Sequence, residues 1–267
     1  MIEVCGVTKS YYGAPVLQDV SFTAEDGQAL GLIGYNGAGK TTLLHIIAGI
    51  YKPDAGCVRM DGAPVYDNPA AKAGIFMLTE DSYFLPHASL SDMGNYYRGY
   101  YQSWNEGIFT RLCAAFGLDP AAKIAGFSRG MKRQAGITLA FAAAPRCLLL
   151  DEVFDGLDLA MRRATRKLLA DYIAASGATV VITSHNLLEM EDHIDKIAMI
   201  HGNTLRYTGG VEALKSARGS LEEYFLEEGN VSQEAFIGVF AEAFPTQPND
   251  ATHSSSWGSP NRKGGNP

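Results

Sequence analysis

The stretch Gly34-Tyr35-Asn36-Gly37-Ala38-Gly39-Lys40-Thr41-Thr42 decides how the rest of the chain is read. It fits the pattern G-x-x-x-x-G-K-[ST], in which glycines let backbone N–H groups turn inward onto phosphate oxygens. The apolar run Ala29–Ile33 before it reads as a strand. Thr41–Ile50 after it reads as a helix with Leu44, Ile47 and Ala48 facing inward. The positive end of that helix lies where the glycines are, so dipole and N–H groups favour the same anion. Lys40 can reach β- and γ-phosphates there, and the Thr41 hydroxyl can bind Mg2+.

Outward from this loop the pattern is strand, helix, strand. Val16–Phe22 alternates apolar and polar residues as a half-buried strand does, and Glu25-Asp26-Gly27 is a turn signal. Lys52-Pro-Asp-Ala-Gly56 is expected to stop the first helix before strand resumes at Val58–Met60. Cys147–Leu150 and Thr179–Ile182 are continuous apolar runs, which suit strands covered on both faces of a parallel sheet. A helix is expected between them, around Met161–Ala174. Ile197–Ile200, Gly202-Asn203 and Thr204–Tyr207 read as a closing hairpin. The alternation predicts an α/β layered core.

Residues 83–144 read instead as a helical insertion rich in aromatics, among them Tyr83, Phe84, Tyr96, Tyr97, Tyr100, Tyr101, Trp104, Phe109 and Phe116. Tyr97 with Tyr101 and Tyr100 with Trp104 are spaced i, i+4, which places each pair on one helix face. Trp257 is the one appreciable apolar side chain in 245–267, too little to offset the entropy of ordering, so that tail is expected to be disordered.

Composition bounds the function classes. With 267 residues, 46% hydrophobic and 19% charged, the chain can bury a sizeable core without staples. A net charge of −7 argues against a general binder of nucleic acid or anionic membranes. The four cysteines, Cys5, Cys57, Cys113 and Cys147, form no Cys-x-x-Cys pair and read as reduced thiols of a cytosolic protein. Met1–Gly6 lacks a basic stretch followed by an apolar core, so no secretory signal is expected, and no run reaches membrane-span length.

Three further segments carry chemistry. Leu148-Leu149-Leu150-Asp151-Glu152 is a buried strand ending in two carboxylates, with Asp151 placed to hold a Mg2+ shell through water. Glu152 can orient or deprotonate an attacking water in phosphoryl transfer. Acidic turn residues at a strand end are the plainer alternative. Phe127-Ser128-Arg129-Gly130-Met131 precedes a long helical run ended by Pro145. Ser128 can simply be its N-cap, or the same hydroxyl and free N–H groups can grip a phosphate. Val180–His185 is a buried strand ending in a histidine, either structural or in reach of a γ-phosphate.

Together these pieces resemble the nucleotide-binding subunit of an ABC (ATP-binding cassette) transporter over about residues 2–228. The resemblance implies a P-loop NTPase (RecA-like) α/β core with an N-terminal antiparallel β subdomain and an inserted helical subdomain. A C-terminal extension would follow at 229–244, then the tail. Tyr11 would be the adenine platform, with Tyr12 as rival. Gly34, Asn36, Gly37, Ala38, Gly39, Lys40, Thr41 and Thr42 would form the Walker A loop, and Glu80 would stand in the Q-loop. Ser128, Arg129, Gly130 and Met131 would be the signature, Asp151 Walker B, Asp158 the D-loop, and Glu152 with His185 the catalytic pair. Thr41, Glu80 and Asp151 would hold Mg2+. A head-to-tail dimer, homo- or heteromeric, would complete each ATP site with the partner's signature and drive a separate transmembrane permease subunit from the cytoplasmic face. Departures are Glu80 for the usual Gln, Phe-Ser-Arg-Gly-Met for Leu-Ser-Gly-Gly-Gln, and Val153 for Pro.

Within the family, one cassette per chain is unlike the ribosome-associated members. Glu80 and Ser128 lie too close together for the coiled coil of chromosome-maintenance members. Ser82–Asn105, the Ser-Arg-Gly-Met signature and Ser220–Phe225 resemble bacterial exporter-type cassettes that accompany GntR-type regulators and serve drug, antibiotic or peptide efflux. Glu80–Trp104 is expected to form a groove for a coupling helix, unless its aromatics only fill the subdomain's own core. Two rivals are a soluble ABC ATPase acting on an assembly such as an iron–sulfur scaffold, and an unrelated P-loop kinase or GTPase. The last lacks an Asn/Thr-Lys-x-Asp guanine signature and leaves Ser128–Met131 unexplained.

Overall fold

Alternating apolar side chains pair two long strands at the start of the chain, Ile2–Tyr11 (β1) and Ala14–Ala24 (β2). They join through Tyr12-Gly13, where φ is +52° and +82°, the left-handed pair that matches the twist of a two-residue hairpin. The computed structural model describes residues 1–184, 190–191, 193–221 and 223–225. His185, the extension expected at 229–244 and the tail expected at 245–267 lie outside the described residues.

After β2 come Ala29–Gly34 (β3), Lys40–Ile47 (α1), Ala55–Met60 (β4), Ala63–Pro64 (β5), Pro69–Lys72 (α2) and Ile75–Leu78 (β6). The helical stretch follows as Leu90–Tyr100 (α3), Glu106–Phe116 (α4) and Arg129–Ala142 (α5). Cys147–Leu150 (β7), Leu159–Ser176 (α6), Thr179–Thr183 (β8), Lys196–His201 (β9), Thr204–Gly210 (β10) and Val211–Arg218 (α7) complete the described order. Met1–Gly229 is one compact unit.

Two sheets result. One is antiparallel, in the order β2-β1-β4-β5; the other runs β10-β9-β3-β8-β7-β6, parallel from β9 to β6 with β10 antiparallel at the edge. The absence of alternation in β7 and β8 has the expected cause, since both are buried at every position. Leu30, Leu32, Leu149 and Val181 pack toward α1 and the antiparallel sheet, while Leu148, Leu150, Val180 and Ile182 join the cluster that holds α5 and α6. This is the P-loop NTPase architecture, with the C-terminal ends of β3, β8 and β7 side by side.

Two local expectations are corrected. The first helix ends at Ile47 rather than Ile50, and Gly49 stops it instead of Lys52–Gly56. Gly49 takes φ +68° and donates to the Ile46 carbonyl, while Ile50 N–H bonds back to His45. Tyr100 and Trp104 do not share a helix face, because α3 ends at Tyr100; Trp104 packs on Phe109 instead, with ring centroids 5.5 Å apart. Among the described residues no helix is long and apolar enough to cross a membrane.

Candidate functional site

The loop between β3 and α1 is shaped by two glycines. At Gly39 φ is +97°, and a Cβ there would lie 2.9 Å from Leu17 Cδ2 and 3.0 Å from the Val16 carbonyl oxygen, so backbone approaches backbone where no side chain fits. At Gly37, φ +81°, the same direction opens into free space. Gly39 is also the N-cap of α1 and supplies no side-chain cap. Helix N–H groups that no side chain caps, at the positive end of a dipole, are the donor set a polyphosphate needs.

Lys40 is buried, and its Nζ donates to the carbonyls of Gly34 (2.7 Å) and Tyr35 (3.3 Å). Burial lowers its pKa, while the charges of Glu152 and Asp151, just past the end of β7, act to raise it. Asp151 is buried as well. Its Oδ1 accepts from the Thr183 hydroxyl at 2.7 Å, and the same Thr183 oxygen accepts the Glu152 N–H at 3.0 Å. Thr183 ends β8, the strand between β3 and β7, and one side chain there orients both acidic residues. Glu152 takes φ +49°, a left-handed conformation that costs a non-glycine residue about 1–3 kcal/mol.

No group of three or more His, Cys, Asp and Glu side chains gathers as a metal centre among the described residues. A hard cation such as Mg2+ takes one or two protein oxygens and fills its shell from phosphates and water. Asp151 and the exposed Thr41 fit that donor set.

A family model described as "ABC transporter" matches residues 17–155. The ABC transporter ATP-binding protein YtrB of Bacillus subtilis (strain 168) is 30% identical over 247 residues, 90% of this chain and 85% of that one. The chain belongs to the ABC transporter family. It is an ATP-binding subunit of that family, an ATPase. The Fe(3+) ions import ATP-binding protein FbpC 1 of Rhodococcus jostii (strain RHA1) is 32% identical over 215 residues, 78% of this chain and 62% of that protein, so this chain spans less than two thirds of the iron-import relative. A solved structure described as the ATP-binding subunit of an ABC transporter superposes with a TM-score of 0.79 at 26% identity, covering 85% of this chain and 98% of that one.

The other residues expected to carry cassette motifs take these places. Ser128 is the N-cap of α5, its Oγ accepting the Met131 N–H at 3.2 Å. Ser128 and Arg129 are exposed; Gly130 and Met131 are half-buried. Arg129 and Gly130 lie beside Gly156, whose carbonyl would be 3.5 Å from a Cβ at Gly130. Asp158 caps α6 by accepting the Met161 N–H at 2.9 Å. Exposed Glu80 has its Oε1 3.9 Å from Arg129 Nη2. Tyr11 is partly exposed, with Lys9 Nζ 5.6 Å from its ring centre, whereas Tyr12 stands fully in solvent.

The aromatic insertion divides. Tyr101 and Phe109 are buried in the helical core, Tyr97, Phe84, Trp104 and Phe116 pack against it, and Tyr83, Tyr96 and Tyr100 are exposed. A cavity of about 270 Å³ opens between β6 and α3, lined among others by Phe76, Tyr83, Phe84, Leu85, Tyr96 and Tyr97. Trp104 is not part of its lining, because it packs on Phe109.

Two contacts escaped sequence reading. Thr183 was legible only as a strand residue before His185, although a hydroxyl closing an apolar run beside a carboxylate strand is a usable signal. Tyr35, at a variable position of the loop, donates from its hydroxyl to the Phe225 carbonyl (3.2 Å) and packs against that ring, tilted by 35° with centroids 4.3 Å apart, joining the nucleotide loop to Phe225.

Proposed function

We propose that the chain hydrolyses ATP·Mg2+ to drive a separate transmembrane permease subunit at the inner face of the cell membrane, in a head-to-tail dimer of cassettes. The nucleotide-binding domain spans 1–228, with its helical subdomain at about 83–144. The observation that carries the reading is one end of the parallel sheet that holds a buried Lys40 at an uncapped helix start and, under one Thr183 hydroxyl, Asp151 and Glu152.

In this reading the N–H groups of Gly37, Ala38, Gly39, Lys40 and Thr41 bind the phosphates, and Gly34, Asn36 and Thr42 shape the loop. Tyr11 stacks on the base. Lys40 exchanges its Gly34 and Tyr35 carbonyls for phosphate oxygens. Thr41, Asp151 and Glu80 would hold Mg2+, which would supply charge neutralisation to the phosphates. Glu152 orients the attacking water and accepts its proton, and His185 contacts the γ-phosphate. The exposure of Ser128 and Arg129 supports a role toward a second subunit's nucleotide, with Gly130 and Met131 alongside and Asp158 at the same interface. The cavity flanked by Tyr83 and Tyr96 supports helix-in-groove docking of the permease.

Outward transport of a drug, antibiotic or peptide is the direction that the exporter-type resemblance favours. The iron-import relatives favour a second reading, uptake. Affinity purification of Glu152→Gln chain with ATP, from mild-detergent extracts of native cells, tests the permease. A stoichiometric multi-span protein is expected; soluble partners alone would sink the transporter reading in favour of an assembly ATPase. Counterflow in inside-out vesicles then separates efflux from uptake. Glu80→Gln with an unaltered Mg2+ dependence of ATPase activity removes Glu80 from the metal set.

A further inference from the structure

Among the described residues three charged side chains are deeply buried: Lys40, Asp151 and Arg133. The first two belong to the site above. Arg133 lies in the first turns of α5, just past the signature, and none of the cassette motifs assigns it work. A buried guanidinium is costly unless its donors are satisfied. Here they reach three backbone carbonyls in two loops, the one after β6 and the one between β7 and α6. Nη1 donates to Thr79 (2.9 Å), Nη2 to Glu152 (3.0 Å) and Nε to Asp155 (3.3 Å).

Each of these carbonyls sits beside a candidate functional group. Thr79 precedes Glu80, Asp155 lies three residues before Asp158 in the loop between β7 and α6, and the third carbonyl, in that same loop, is that of Glu152 itself. Glu152 is the residue whose backbone most needs holding, since φ is +49°. Its N–H is fixed by Thr183, and its carbonyl takes both Arg133 and the Asp155 N–H at 3.1 Å. A peptide clamped at both ends sets the direction of the side chain between them. The planar fork of arginine matches three carbonyls at fixed angles; a lysine ammonium cannot span them.

We propose that Arg133 is a positioning residue for ATP hydrolysis: by gripping the Glu152 and Asp155 carbonyls within one loop and the Thr79 carbonyl in another, it aims the Glu152 carboxylate and links its aim to the loop of Glu80. The inference rests on the reading of Glu152 as the group that orients water. Arg133 is buried and donates to backbone carbonyls, so its loss should lower turnover and leave ATP binding alone.

The test uses the full chain, with steady-state ATPase kinetics, a fluorescent ATP analogue and melting curves. Arg133→Met, Arg133→Lys, Arg133→Ala and Glu152→Gln are compared with the parent well below their melting temperatures. For Arg133→Met, kcat should fall on the order of tenfold to a hundredfold, the penalty of a small misplacement of a reacting group. KM and analogue affinity should stay within about threefold, far less than the loss in kcat. Arg133→Lys should fall between, and methylguanidinium should restore part of the Arg133→Ala rate. If Arg133→Met does not fold, Arg133→Lys with parental kcat overturns the proposal. So does a loss that tracks analogue affinity or melting temperature alone. Glu152→Gln at the parental rate removes the Glu152 reading and the inference with it. Glu152→Gln inactive beside fully active Arg133 variants overturns the inference alone.

Discussion

Replacing Thr183 by valine keeps the shape of a fully buried side chain and removes only its hydroxyl. No cavity forms, so the cost is polar. Asp151 Oδ1 loses a 2.7 Å donor, and a hydrogen bond to a charged group contributes about 1.5–3 kcal/mol. The Glu152 N–H loses its 3.0 Å acceptor, and a buried donor left without one costs about 1–3 kcal/mol. Allowing for the more favourable burial of a methyl, the net destabilisation should be about 3 kcal/mol. Thr183→Ser is the control: it keeps the hydroxyl and loses one methyl, for about 1 kcal/mol. Urea unfolding monitored by far-UV circular dichroism gives both values, and the steady-state ATPase rate should drop with valine and hold with serine. If valine and serine unfold at the same midpoint, the Thr183 hydroxyl does not organise the acidic pair, and the clamp on Glu152 loses one of its two ends.

Gly39→Ala should destabilise by about 2–5 kcal/mol, from backbone strain together with contact against Val16 and Leu17. It should also abolish binding of a fluorescent ATP analogue, while Gly37→Ala, facing open space, should be the milder change; parental melting and binding for Gly39→Ala would contradict the loop geometry. Hydrogen bonds from the N-terminal ammonium and from Thr179 hold the Asp26 carboxyl below its usual 3.8. A depressed folded pKa gives stability that is present above 3.8 and lost as pH falls through the folded value. Asp26→Asn should therefore cost under about 1 kcal/mol at neutral pH, given its solvent exposure, and nothing in strong acid; an equal cost at both ends in urea titrations would refute the linkage. Burial pushes the Cys113 and Cys147 thiols up to about 11 and about 12, whereas Cys5 is exposed and Cys57 partly so. Mass spectrometry after native alkylation should find label on Cys5 and Cys57 and on all four only after unfolding.

What the sequence made legible was whatever is written in consecutive residues. The nucleotide loop needs glycine at fixed positions for steric reasons that Gly39 displays, and continuous apolar runs in β7 and β8 follow from burial on both faces. The hairpin between β9 and β10 carried its own signal, since Gly202 and Asn203 both take positive φ. Helix ends were less legible, because Gly49 competes with the stronger-looking Lys52–Gly56 segment and wins by closing the turn on Ile46 and His45. Contacts between distant segments left no local trace. The Arg133 carbonyl bonds, the Tyr35–Phe225 contact and the Thr183 hydroxyl each depend on strand order, which brings residues far apart in the chain to one end of the sheet.

Strand order also changes the meaning of the two unusual motif residues. Taken singly, Glu80 in place of glutamine adds a negative charge, and Arg129 in place of glycine adds bulk and positive charge to the signature. In the fold the two side chains face each other, with 3.9 Å between Arg129 Nη2 and Glu80 Oε1. In charge the two departures cancel. Both groups are well exposed, and a pair of this kind contributes under about 1 kcal/mol to stability. Its consequence is positional: the pair spans the same two segments that Arg133 joins one turn further along α5, where the Thr79 carbonyl precedes Glu80. An exposed ion pair and a buried guanidinium one turn further along thus tie the loop after β6 to α5 within one subunit. A glutamine–glycine combination would keep the inner tie and lose the outer one.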